Sequence, residues 1–527
     1  MNIGSIIKDR CWCTYFSLVI LLATMSSLKY YNLNSTVFDL GVFLNNFYLI
    51  SEGYWDRLFL SHIQPLNFVW SLFYKVLPSS TVPIFILIGQ ASLLALPIIG
   101  LYRVYGPIPT IAFVLYFPLW YNALFDFHID HLAIPFLFGF LMMEKKGKVG
   151  LAVCFGLLLA LVKEIFAIQA VFCGLYLLLV QKQRLGGMIL TLASLIYFFI
   201  SWVYLKNYFN PSFVNIIASN GDIQTGPYTW LGSSFNDVAS KLFTQPHWVL
   251  GEVFSDKERL KYLFYIFGAL GFIPLLRPGI LLITIPILAH SLLSSEPKHY
   301  GFTHHYSAGL LIPNVIAFAE GLPKAKNLWK YARFEKQYFE TTLFTGLLVC
   351  HILLSPSPIG RKFYSNKSWN YHYSVYLSSE RNKTIKNALK THIPSNPDKS
   401  ISMQNSLNFS HLIERKNFKL FPHGAVEKAE TYEKNLTWLG FIEFVRTKKP
   451  PKIILNQKFV DYVILDFKRP WFDVDQGCHW IAGKCENGAR FENRFLKLIK
   501  KTKKNFNIIF EQDGFMILKL NSLKTSP

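Results

Sequence analysis

Apolar runs follow one another along the chain from the N-terminus to about residue 355 and then stop. They occupy roughly 12–29, 83–102, 108–124, 132–143, 149–163, 165–180, 186–205, 260–276, 279–295, 306–322 and 341–355. A helix needs about 20 apolar residues to cross hydrocarbon, so this pattern predicts an α-helical polytopic membrane protein with about eleven transmembrane helices. Several runs are short or interrupted by proline. After 355 the pattern changes: "KIILN" and "DYVILDF" read as buried strands, "GFMILKL" as a closing strand, and "RFENRFLKLIKKT" as an amphipathic helix with a basic face. The expected organisation is a transmembrane domain over 1–355 and a C-terminal α/β domain over 356–527.

The polar stretches between the runs set an orientation. Arg103, 144–148, 181–184, Arg277 and 323–337 hold basic residues in alternate loops, which places those loops and the N-terminus in the cytoplasm. The first run, after Lys8 and Arg10, has no small-x-small cleavage site and reads as a retained span. The loops 30–82, 126–131, 163–164, 206–258 and 294–307 then lie outside, with the C-terminal domain. Within the first outer loop, 30–82, "FDLGVFLNNFYLI" reads as a helix lying in the membrane interface, and "IQPLNFVWSLFYKVL" follows in the same plane.

Composition agrees. The 527 residues are 51% hydrophobic and only 16% charged, too few charges to wet the surface of a soluble chain of this length. The formal charge of +22 lies partly beside apolar runs and no nucleic-acid motif accompanies it, so the bilayer and not nucleic acid is the expected partner. Five cysteines sit in or beside apolar runs; Cys478 and Cys485 sit in the polar tail, close enough in sequence for a small disulfide loop outside the cytoplasm.

Polar outcrops in the outer loops carry the candidate chemistry. Asp39 follows Thr36 by three residues, a capping-box spacing that competes with a functional role. In "FDFHIDHLAIP", Asp126, His128, Asp130 and His131 crowd one turn; such a cluster suits a phosphate or a divalent cation, though the spacing matches no standard metal site. Lys163 and Glu164 stand alone between two apolar runs, where charge is costly and functional by default, a mutual or interhelical salt bridge being the plain alternative. His62, His299, His304 and His305 lie at outer membrane edges, where imidazole binds phosphate or relays protons, and Arg57 is a further phosphate contact or a surface anchor. There is no Walker loop, dinucleotide fingerprint, HExxH or G-x-S-x-G, which argues against soluble nucleotide chemistry.

A first span, a long outer loop with an acid near its start, many further spans and a C-terminal outer domain together resemble the GT-C superfamily of polytopic glycosyltransferases. Within it, "FDLGVFLNNFYLISEG", "SHIQPL", "DFHIDHLAIP", "KE", "FPHG" and "DYVILD" resemble an uncharacterised bacterial family of predicted membrane proteins with a domain of unknown function. The resemblance implies transfer of a sugar from a polyprenyl-phosphate carrier to a cell-envelope acceptor at the outer face of the inner membrane. It implies Asp39 as base, with Glu164 beside it, and substrate contacts from Lys163, His62, Asp126, His128, His131, His304 and His305. Asp39 has no immediate acidic neighbour, and the acid-rich motif of metal-dependent oligosaccharyltransferases is missing. A transporter or channel, and an inactive sensor or assembly protein, are the competing readings. Charges gathered toward one face and the lack of an inverted repeat rank them below the transferase.

Overall fold

A computed structural model describes residues 3–59, 62–209, 226–333, 335, 337–366, 370–433, 438–447, 454–469, 480–481, 484–485 and 488–521. The chain is mostly helical up to Leu354, followed by a mixed segment built around a small sheet. Among the described residues, three helices are long and apolar enough to cross a membrane: Arg10–Tyr31, Val82–Tyr105 and Arg184–Leu205. Val149–Ala160, Glu164–Val180, Pro278–Leu293 and Tyr338–Leu354 are apolar but shorter.

The run 132–143 is the unbroken helix Ala133–Lys145, and two of the expected runs are interrupted. The run 108–124 divides at Tyr116 into Pro107–Leu115 and Phe117–Leu124. Pro118 supplies no backbone N–H and its ring clashes with the carbonyl four residues back, so the first piece ends, Tyr116 is extended and the second piece restarts at Phe117 with Pro118 in its first turn. The run 279–295 becomes Pro278–Leu281, a tighter turn over Leu282–Thr284, and Ile285–Leu293. The long helix Ala308–Tyr331 keeps Pro313 and Pro323 inside it.

The helix Arg184–Ile200 shows how this half is wrapped. Leu185, Ile189, Leu192, Ile196 and Phe199 face outward at alternating steps of four and three, whereas Gly187, Leu190 and Ser194 face inward. Apolar outside and small or polar inside is the pattern of a helix in lipid. Its inner face meets the helix Glu164–Leu175 backbone to backbone. A Cβ on Gly174 would lie 2.7 Å from Thr191 N and one on Gly187 2.8 Å from Gly174 O, so only glycine permits the approach. This contact sets the height of Lys163 and Glu164 at the start of that helix.

Among its described residues the C-terminal segment contains nine strands: β1 Ile401–Met403, β2 Phe418–Leu420, β3 Ala429–Glu433, β4 Ile454–Lys458, β5 Tyr462–Asp466, β6 Trp480–Ile481, β7 Lys484–Cys485, β8 Phe506–Gln512 and β9 Phe515–Leu520. Five form a sheet in the order β2-β1-β5-β9-β8, parallel across β2, β1 and β5 and antiparallel thereafter. "DYVILDF" supplies the fully buried central strand β5, as its unbroken apolar run predicts. Asp513 and Gly514, both at positive φ, make the tight turn between β8 and β9. "KIILN" also supplies a strand, β4, which pairs with β3 in a separate two-stranded sheet. The expected disulfide involves Cys478, which lies outside the described residues.

The first loop is not a free interfacial layer. Val37–Gly41 forms one wide turn and Val42–Ser51 a helix whose Phe43, Leu44, Asn45, Phe47, Leu49 and Ile50 are all buried. Leu33 and Val37 join the apolar core of the C-terminal sheet with Ile401, Met403 and Ile464. Trp70 packs on Gly89, where a Cβ would come within 2.9 Å of the indole. The loop is thus held between the helices and the C-terminal segment.

Candidate functional site

The site begins with the extended stretch Asp126–His128 after the helix Phe117–Leu124. Successive side chains of an extended backbone point to opposite sides. Phe127 enters an aromatic nest, with ring centroids 5.3 Å from Phe43, 5.7 Å from Phe47 and 5.2 Å from Trp70. Asp126 and His128 are thereby turned the other way.

Asp126 anchors the start of the first loop. Its Oδ2 accepts from Thr36 N at 2.8 Å, and its Oδ1 lies 3.6 Å from Lys29 Nζ. The Lys29 ammonium, 1% exposed at the end of the first span, also donates to the carbonyls of Leu124 and Phe125. Asp126 therefore takes the place expected of Asp39 in a capping box. Thr36 forms no side-chain cap; its Oγ1 lies 3.0 Å from Asp39 Oδ2 and 3.1 Å from Asp126 Oδ2. Burial, reinforced by the neighbouring Asp126 carboxylate, pushes Asp39 up to about 7, against the opposing influence of Thr36, Lys29 and Lys163.

A second group is centred on Asp130. His128 Nδ1 lies 3.0 Å from Asp130 Oδ1, Lys163 Nζ 3.6 Å from the same oxygen, and His305 Nε2 3.5 Å from Oδ2. Burial works against the charge of Asp130, but His128 and Lys163 outweigh it and hold the carboxyl well below the usual range. The rings of His128 and His305 stack at 3.4 Å with 13° between their planes. Burial lowers the proton affinity of both, and two imidazolium rings could not share that contact. Among the described residues, Asp39, His128 and His305 each offer a ligand atom within 4.8 Å of the others, a grouping that could hold a metal ion.

The remaining expected residues stand apart from this centre. Glu164 is joined to the first loop and not to Lys163: its Oε2 lies 3.2 Å from His62 Nδ1 and its Oε1 accepts from Ile63 N at 3.0 Å. Lys163 is extended and Glu164 opens a helix, so adjacent side chains diverge. His131 Nε2 lies 2.5 Å from the carbonyl of Asn122, and His304 Nδ1 lies 3.0 Å from Thr303 Oγ1. His299 Nδ1 meets Ser294 Oγ at 2.7 Å. Arg57 lies in the short turn Trp55–Leu58 of the first loop.

Sequence reasoning missed two supports. Lys29 is a lone cation closing the first apolar run, a signal that intramembrane charge rules pick out. The C-terminal segment supplies the other: Val37 N donates to Asn405 O at 2.7 Å, Asn408 Nδ2 to Thr36 O at 3.1 Å, and Arg469 Nη1 lies 3.3 Å from Asn34 Oδ1. The peptide unit joining Thr36 and Val37 is gripped at both its C=O and its N–H from a segment some 370 residues away.

No curated protein matches the chain, and no solved structure does. The family described as Predicted membrane protein (DUF2079) matches residues 29–439, a stretch that starts at Lys29 and includes every residue of the Asp39, Asp126 and Asp130 groups. By that match, which covers most of its length, the chain belongs to the DUF2079 family of predicted membrane proteins.

Proposed function

We propose that this membrane protein is a glycosyltransferase that moves a sugar from a polyprenyl-phosphate donor to a cell-envelope acceptor at the outer face of the inner membrane. The observation that carries the reading is the gathering of Asp39, Asp130, Lys163 and His305, from four separated segments, into one charged centre on an otherwise apolar protein. The N-terminus is cytoplasmic in this reading, and the C-terminal domain, from 356, lies outside and positions the first loop.

Asp39 takes the proton of an acceptor hydroxyl as that oxygen attacks the anomeric carbon. The bond between that carbon and the phosphate oxygen breaks, its electron pair leaves with the polyprenyl phosphate, and the configuration inverts. Lys163 is the cation placed to meet the charge that develops on the phosphate, and Asp130 holds it there. Glu164 acts at one remove, through His62 and the backbone of Ile63. The test supplies purified protein with radiolabelled polyprenyl-phosphate sugars and envelope acceptors. Transfer that falls in Lys163→Ala supports the reading; no transfer across a broad donor panel overturns it.

A further inference from the structure

We propose that Asp39, His128 and His305 form a binding site for a first-row divalent metal ion, with Zn²⁺ the ion it suits best. The inference goes beyond sugar transfer and does not require it, because ion binding is measured without any donor; Asp39 ligates through one oxygen, and the other is the one the proposed transfer uses as base.

The ligand set is the first argument. Two imidazoles and one carboxylate, from the first loop, the 126–131 turn and the 294–307 loop, present donor atoms within 4.8 Å of one another. Bonds of about 2.0–2.1 Å in a tetrahedral site put donors about 3.3–3.4 Å apart, so a tilt of the stacked rings and a small closure complete it. Three protein ligands leave a fourth position open, as in zinc sites that act on a substrate.

His305 supplies an independent argument. It is 4% exposed, and neither ring nitrogen makes a hydrogen bond. Nε2 has only the Asp130 carboxylate at 3.5 Å and Nδ1 no polar partner, so this buried imidazole recovers little of its lost solvation, which an ion would correct.

Asp130 engages one nitrogen of His128. Nδ1 lies 3.0 Å from Asp130 Oδ1 and 3.5 Å from Asp130 N, which leaves Nε2 toward an ion, and Lys163 Nζ stands 3.6 Å from the same carboxylate oxygen. A carboxylate beside the second nitrogen is a common support of metal-binding histidines. Charge also fits. Asp126 is matched by Lys29 and Asp130 by Lys163, so the third carboxylate, Asp39, is the one without a lysine of its own. Lys163 is the cation that opposes an ion here, and its contact with Asp130 moderates that opposition.

The test uses the full chain in nanodiscs, stripped with chelator, incubated with Zn²⁺, passed through a desalting column and assayed for bound metal. About one ion per chain is expected in the unmodified protein and in His423→Ala, a control on the exposed surface. That ion should be lost in His305→Ala and Asp39→Asn, and Asp130→Asn should bind Co²⁺ about 10–100-fold more weakly. Absence of stoichiometric metal in the unmodified protein, or its retention in both ligand variants, overturns the site. If the variants do not fold, the Co²⁺ spectrum of the unmodified protein decides. Ligand-field bands without thiolate charge transfer support nitrogen and oxygen ligands; a thiolate band would move the ion to a cysteine and overturn the assignment.

Discussion

Asp39 and Asp126 share one hydroxyl: Thr36 Oγ1 stands 3.0 Å from an oxygen of the first and 3.1 Å from an oxygen of the second. A hydroxyl has a single proton to donate, so it serves one carboxylate at a time. Asp126 already accepts from Thr36 N and faces Lys29. The more weakly served partner is Asp39, which is where an added proton or a cation belongs.

Lys29 and Asp126 form a buried pair, each side chain at most 2% exposed. Removing one member leaves an uncompensated charge, and Lys29→Met or Asp126→Leu alone should cost about 3–5 kcal/mol. The double variant should cost clearly less than the sum. Reversible unfolding in mixed micelles, read as a double-mutant cycle, checks this; additive losses would show that the pair is not coupled.

Asn408→Ala removes the hydrogen bond to Thr36 O and leaves that carbonyl with Gly41 N alone as its donor. A loss of about 0.5–1.5 kcal/mol is expected, concentrated in the first loop. Hydrogen exchange should speed up over residues 33–41 while the helix Arg184–Ile200 stays protected. Uniform acceleration would contradict a local anchoring role.

Glu414 gives a pH dependence outside the membrane-spanning part. Burial pushes it from 4.5 up to about 7, against Ser79 and Arg415, and its Oε1 has no hydrogen-bond partner. A carboxyl with a raised folded value favours the fold when protonated. Its contribution is complete below about 4.5 and is lost as pH rises through about 7. Melting temperature should therefore fall across that window, and Glu414→Gln should flatten the fall. An unchanged slope in the variant would assign the dependence elsewhere.

Much of this arrangement is legible in the sequence at the level of segments. Apolar runs mark the helices, and the isolated charges Asp39, Asp130 and Lys163 stand out because charge is rare around them. What periodicity cannot convey is pairing. Thr36 and Asp39 have capping-box spacing, but Asp126, ninety residues away, takes the Thr36 N–H. Lys163 and Glu164 are neighbours in sequence yet bond to different segments, because a helix starts between them. Hydropathy alone also reads broken helices as spans, since it does not register where the backbone restarts near Pro118 or Pro286. The grip of Asn408 on Thr36 has no local signature, because an asparagine in a loop reads as a turn residue.

The central claim is tested most directly by one comparison: transfer of labelled sugar from polyprenyl phosphate by the unmodified protein and by Asp39→Asn, in the same membranes at matched protein levels. The carboxamide keeps the size of the side chain and an acceptor for Thr36 but cannot take a proton from the acceptor hydroxyl. The account predicts a loss of about 10²–10⁴-fold in turnover, the range of a positioned general base. Transfer at an undiminished rate in Asp39→Asn would contradict it.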